Sequence, residues 1–210
     1  MKKSSNIHSS VYRKMYLLKK TFRSMKNAVG IKPDYANLIS KGQKYLRLGM
    51  FRDAVNIYEH AIIINPRDAE AYYSLGTAYD NIGMFKEAIR AYKQAISTKS
   101  KYFHAMNKLG IAYSKVGKMK EAITMTKRAI NIMPNALSAY KNLALYHEKL
   151  GEHQEAIDSL KHVVAIEPDD SKAHGKLVKY YLKLNDKSSA SMHSQILKKL
   201  SPQMAEKLQN

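Results

Sequence analysis

Apolar and small residues recur along this chain on a 34-residue beat. Tyr45, Tyr79, Tyr113 and Tyr181 share one phase, and Ala54, Ala88, Ala122, Ala156 and Ala190 share a second. Gly49, Gly83, Gly117 and Gly151 form a third, and Pro66, Pro134, Pro168 and Pro202 a fourth that only Ser100 interrupts. Inside each period the apolar positions fall at helical spacing, which predicts a helix A, a short turn, a helix B and a proline-marked connection. Five such units are expected, at 35–68, 69–102, 103–136, 137–170 and 171–202, after an arm at 1–34 and before a tail at 203–210. The expected fold is an all-α solenoid of about five helix-turn-helix repeats, each buried mainly by its neighbours.

Local chemistry follows the same grid. The turn glycines stand where the chain needs a left-handed residue to end helix A, and Asn185 takes that place in the fifth unit. Gly42, Gly76, Gly110 and Ala144 sit where helix B must approach helix A, and the alanine series serves the same approach from helix B. Tyr58, Tyr92 and Leu160 are expected to fill the space between successive units. The fifth unit departs from the pattern with Val178 at the small-residue position and serines at 188, 189, 191 and 194. A polar outer face is what a terminal repeat needs, so this unit reads as a cap, helped by the tail from Met204 to Leu208.

Leu75, Gly76, Tyr79, Ala88, Tyr92 and Ala95 in the second unit, with Leu109, Gly110, Tyr113, Ala122, Ala129 and Pro134 in the third, resemble the tetratricopeptide repeat (TPR) signature. The resemblance implies a right-handed superhelical solenoid whose A helices line a concave, partner-binding groove. Carried onto this chain, the groove positions are Glu70, Tyr73, Thr77 and Asp80, then His104, Asn107 and Lys108, then Lys141 and Asn142. The fifth unit adds Lys172, Lys176, Lys179 and Lys183, spaced to share one helix face. That lysine row reads either as a site for an acidic ligand or as a solvated face of a terminal repeat. Asn142, Lys172 and Lys176 match three positions of the carboxylate clamp found in some TPR domains of chaperone partners. Asn107 and Ile111 stand where that clamp has lysine and asparagine, which leaves "acidic peptide" as the expected ligand class.

The layout of arm, repeats and tail also resembles the magnetosome-associated TPR proteins of magnetotactic bacteria. That likeness implies a peripheral coat on the magnetosome membrane, built by self-association of the arm with a neighbour's groove. Two other uses of such arrays stay open: a monomeric, co-chaperone-like receptor for acidic C-terminal peptides, and a regulatory subunit of a larger machine.

Charge narrows the partners. Lys and Arg outnumber Asp and Glu by 36 to 17, a formal charge of +19, which admits acidic proteins, an anionic membrane surface and nucleic acid. No nucleic-acid recognition module is visible, so no specific nucleic-acid binding is expected. The chain has no cysteine, and no apolar run approaches the roughly 18 residues of a membrane span. The apolar segment of a secretory signal is also missing, so a cytoplasmic protein, or one peripheral on a membrane, is expected.

The arm contains no Asp or Glu from Met1 to Pro33. Val11, Met15, Leu18, Phe22, Met25 and Val29 recur by three and four, predicting a basic amphipathic helix capped by Ser10 and ended at Gly30. It suits docking on the first repeat, an anionic membrane, another protomer seated near Glu70 and Asp80, or an organelle-targeting peptide.

Catalytic chemistry finds little footing. His147 and Glu148 begin like a zinc-protease helix, but Gly151 stands where the second histidine belongs. Gly110, Gly117 and Lys118 loosely resemble a phosphate loop, but Met119 replaces the required hydroxyl residue. The expectation is a non-enzyme with no catalytic, metal or cofactor residue.

Overall fold

The computed structural model describes residues 34–207; the arm stripe from Val11 to Val29 and the last three residues lie outside them. Five helical hairpins follow one another: α1 (Tyr35–Arg47) with α2 (Phe51–Ile64), α3 (Ala69–Asn81) with α4 (Phe85–Thr98), and α5 (Phe103–Lys115) with α6 (Met119–Ile132). Then come α7 (Leu137–Leu150) with α8 (His153–Ile166), and α9 (Ser171–Lys183) with α10 (Lys187–Leu200). A one-and-a-half-turn helix, α11 (Pro202–Lys207), closes the series. Proline suits the first position of α11, where its missing N–H costs nothing. The tail is therefore partly helical, and Ala205 is buried against the last hairpin.

Each odd-numbered helix from α1 to α9 ends in the same turn. Met50 N–H donates to Tyr45 C=O at 2.9 Å and Gly49 N–H to Leu46 C=O at 3.2 Å, a pairing that satisfies carbonyls left over at a helix end. The long bond recurs from Met84 to Tyr79, Lys118 to Tyr113, Glu152 to His147 and Asp186 to Tyr181 at 2.9–3.0 Å. The geometry needs a positive φ, which Gly49, Gly83, Gly117 and Gly151 supply at 72 to 79° and Asn185 at 60°. Aspartates cap the starts of α1, α3, α9 and α10, with Asp68 accepting from the backbone N–H groups of both Glu70 and Ala71.

Packing inside each hairpin is set by the small residues of the A helix. A Cβ added to Gly42 would lie 2.7 Å from the Tyr58 ring, and one added to Gly76 would lie 2.6 Å from the Tyr92 ring. These rings therefore fill the interface of their own hairpin, and Tyr58 also meets Ser74 of the next unit, so the expected position between units holds for it only in part. In the third hairpin the B-helix residue shrinks to Thr126, and Tyr146 from the next A helix comes in beside it. Tyr180 and Leu160 share a cluster in the same way one unit later. Each B helix meets the next unit through that unit's A helix, and successive A helices touch from α1 through α7. The A helices thus form the inner surface of the solenoid. Among the described residues no helix is long and apolar enough to cross a membrane.

Candidate functional site

The A-helix face is where the sequence places partner contacts, and its side chains join across unit boundaries. At the N-terminal end Tyr73 of α3 lies among aromatic rings, 5.9 Å from Tyr92, 5.3 Å from Tyr102 and 6.4 Å from His104. The Tyr102 hydroxyl donates to Glu70, and Lys99 stands 3.7 Å from the same carboxylate. Thr77 turns its hydroxyl to the Tyr73 carbonyl at 3.1 Å, the usual resting place of a helical threonine. Asp80 is held at 2.8 Å by Lys115 of α5, whose ammonium also lies 4.8 Å from the Phe85 ring centroid.

In the middle, the Asn142 amide donates to Asn107 Oδ1 at 3.1 Å, linking α7 to α5. Lys141 reaches away from this pair to Asp170 at 2.6 Å and Glu167 at 2.8 Å, in the connection before α9. Burial pushes the Asp170 carboxyl up, but Lys141 and the capped N–H groups outweigh it and leave the pKa below its ordinary value. The hydrogen bonds Lys141 donates to Asp170 and Glu167 correspondingly raise its own pKa.

At the C-terminal end the lysine row divides. Lys176 is committed to Glu148 of α7 at 2.6 Å. Burial raises the Glu148 pKa, yet the Lys176 bond and the charges of Lys176 and Lys179 bring it below the usual carboxylate value. Lys172, Lys179 and Lys183, like Lys108 of α5, make no ion pair among the described residues. Two of the three clamp-like residues, Asn142 and Lys176, are thus occupied by neighbours, and Lys172 alone is exposed without a partner.

Five of the described histidines have structural employment. His147 Nδ1 lies 2.6 Å from Glu152, His162 stacks on Tyr140 at 4.4 Å and His153 on Tyr180 at 5.3 Å. His174 and His193 meet through their Nδ1 atoms at 2.9 Å, and His174 Nε2 lies 2.9 Å from the Pro168 carbonyl. A carbonyl only accepts, so His174 carries a proton on Nε2, and when its ring is neutral its Nδ1 accepts from His193 Nδ1–H.

The opposite side holds features the sequence reading missed. Two clefts open between successive B helices at equivalent places. One of about 440 Å³ is floored by Ile62, Tyr72, Leu75 and Ala91, and one of about 420 Å³ by Ile130, Tyr140 and Leu143. Tyr72 and Tyr140 stand two periods apart, so the 34-residue grid already held that signal.

Profiles described as Tetratricopeptide repeat match residues 69–102 and 102–169, and one described as TPR repeat matches 42–83. No curated protein matches the chain in sequence. Solved structures do share its fold. MamA aligns over 82% of this chain and 94% of its own at 23% identity, with a TM-score of 0.74. A segment of MamA from Desulfovibrio magneticus RS-1 aligns over 82% and 98% at 21% identity and TM-score 0.73. YrrB, described as a TPR protein with an unusual peptide-binding site, aligns over 91% and 98% at 19% identity and TM-score 0.73. With the repeat profiles running from residue 42 to 169 over tandem helical hairpins, the chain belongs to the tetratricopeptide repeat proteins.

Proposed function

We propose that the chain is a non-catalytic scaffold that holds protein partners along its A-helix face, self-assembles, and attaches peripherally to a membrane as a coat of the magnetosome type. The observation that carries the partner reading is the division of the lysine row. Glu148 and Asp170 neutralise Lys176 and Lys141, and α9 is left with Lys172, Lys179 and Lys183 exposed and without an ion pair among the described residues. Three ammonium groups on one helix face repel one another and favour a ligand that brings carboxylates. The partner class is an acidic peptide or an acidic segment of a protein. Likeness in fold to a peptide-binding TPR protein supports the same reading. The non-catalytic part is supported by His147, His153, His162, His174 and His193, each already held by a ring, carboxylate or carbonyl.

Fluorescence anisotropy with a labelled glutamate-rich peptide tests the partner reading. Lys172→Ala with Lys179→Ala should weaken binding about tenfold and flatten its salt dependence, while arginine at both positions should retain it. Unchanged affinity in the alanine pair would remove the proposal. Lys176 is the poorer probe, because its removal strands Glu148. Self-assembly is read separately by light scattering: a particle mass of one chain at all concentrations favours the monomeric receptor for acidic C-terminal peptides.

A further inference from the structure

The five A–B turns lie along one rim of the solenoid, and that rim has a composition of its own. The residue just before each positive-φ turn residue is apolar in every unit: Leu48, Ile82, Val116, Leu150 and Leu184. Three of them are well exposed, Leu48 at 60%, Leu184 at 43% and Leu150 at 39%, and Met50 and Met84 stand beside them at 42% and 39%. The capping turn is held by backbone groups, and the apolar contact that often accompanies it belongs to the residue after the glycine, Met50 or Met84; it asks nothing apolar of Leu48, Leu150 or Leu184. A Cβ built on Gly49, Gly83, Gly117 or Gly151 would meet nothing within 4 Å, so the turn tips stand in open space.

Charge follows the same rim. The turn segments 47–52, 81–86, 115–120, 149–154 and 183–188 carry nine Lys or Arg against two acidic residues, Glu152 and Asp186. On the opposite rim, segments 64–69, 98–103, 132–137, 166–171 and 200–205 carry three against four. The two edges of one array therefore differ in sign. Of the nine rim cations only Lys115 and Lys118 hold an ion pair among the described residues.

We propose that the A–B rim docks on an anionic lipid surface, with the apolar turn tips entering the interfacial layer and the flanking Lys and Arg meeting headgroup phosphates. The proposal rests on the peripheral-coat part of the scaffold reading and gives it a surface; it is independent of what the A-helix face holds. A bilayer suits this rim better than a folded partner does. The apolar tips come singly, spread along the whole array and separated by charge, so a protein would need a separate pocket for each. A lipid interface yields around every one of them.

Co-sedimentation of the full chain with phosphatidylglycerol-containing vesicles and with phosphatidylcholine vesicles tests it. Binding is expected to the anionic vesicles and to fade in high salt. Combining Leu48→Gln, Met50→Gln, Leu150→Gln and Leu184→Gln should weaken vesicle binding about tenfold or more. Exchanging Lys127, Arg128 and Lys161, on the B helices, for alanine should change it less than about twofold. A rim variant that binds vesicles like the parent, a control variant that loses as much, or equal binding to neutral vesicles would each overturn the proposal. So would an absence of vesicle binding alongside tight binding of acidic protein. The chain has no cysteine, so a polarity-sensitive dye on Leu184→Cys gives a second reading that needs no multiple variant. Its emission should shift to the blue with anionic vesicles while the same dye on Lys127→Cys does not, and equal responses would contradict the rim. Glutamate-peptide affinity in the glutamine variant should be unchanged, which separates failure of the rim from failure of the peptide site.

Discussion

Tyr58 and Tyr92 fit because Gly42 and Gly76 lack a side chain, and the remaining hairpins carry other pairs at the same sequence spacing. The pairs run Gly42 with Tyr58, Gly76 with Tyr92, Gly110 with Thr126, Ala144 with Leu160 and Val178 with Ser194. At Ala144 and Val178, where the A-helix residue is larger than glycine, the residue at that spacing is no longer aromatic, and the third hairpin keeps glycine but admits Tyr146 of the next unit beside Thr126. Gly76→Ala would drive a Cβ to 2.6 Å from a ring that is fully buried. Overpacking of this kind costs about 1–3 kcal/mol, more than the ~0.5–1 kcal/mol alanine gains over glycine in a helix. Thermal or urea unfolding should show Gly76→Ala destabilised by about 1 kcal/mol or more, and adding Tyr92→Leu should recover part of that loss. Gly83→Ala should also destabilise, by about 1 kcal/mol, because of its positive φ of 76°, but Tyr92→Leu should not rescue it. The glycines were legible in the sequence since their phase is periodic. The partner of each ring was not, because one phase serves a neighbour within the hairpin and another the next unit.

Helices α9 and α10 are joined by the His174–His193 pair, which makes the last hairpin sensitive to acid. Burial, then the charges of His174 and Lys161, hold His193 below its ordinary pKa of 6.5. The unfolded chain therefore binds the proton more readily than the native one. The contribution of His193 is complete above about pH 6.5 and shrinks as the pH falls toward its lowered native value. Differential scanning fluorimetry should show Tm falling between about pH 7 and pH 5.5, and His193→Gln should flatten that slope; an equal slope in both would refute the assignment. The carboxylates act lower. Glu148 and Asp170 are held below their ordinary values of 4.5 and 3.8, so what they contribute is present above those values and lost as the pH falls through the native ones. None of these contacts was readable from spacing: Glu148 to Lys176 and His174 to His193 join residues 28 and 19 apart, off the repeat period.

Across the whole molecule the sequence specified a direction more clearly than a destination. Periodic alanines, glycines and prolines were enough for an all-α TPR solenoid, since each unit repeats the same local problem. The A-helix face was harder to read, because its charges and hydrogen bonds are spent between units: Asp80 on Lys115, Asn107 on Asn142, Glu148 on Lys176. A residue that looks free in one repeat is taken by the next. The turn rim was written on the grid from Leu48 to Leu184 and went unread because turn positions look structural. A solenoid also has no shared core to hide damage, so a destabilised hairpin should loosen next to its neighbours without unfolding the far end.

The central claim, that partners sit on the A helices, is tested most directly by amide hydrogen exchange with and without a saturating glutamate-rich peptide. Slower exchange is predicted in α7 and α9, around Lys172 and Lys179, with α4, α6 and α8 unchanged. Protection confined to the B helices and their clefts, with α7 and α9 unaltered, would contradict the account.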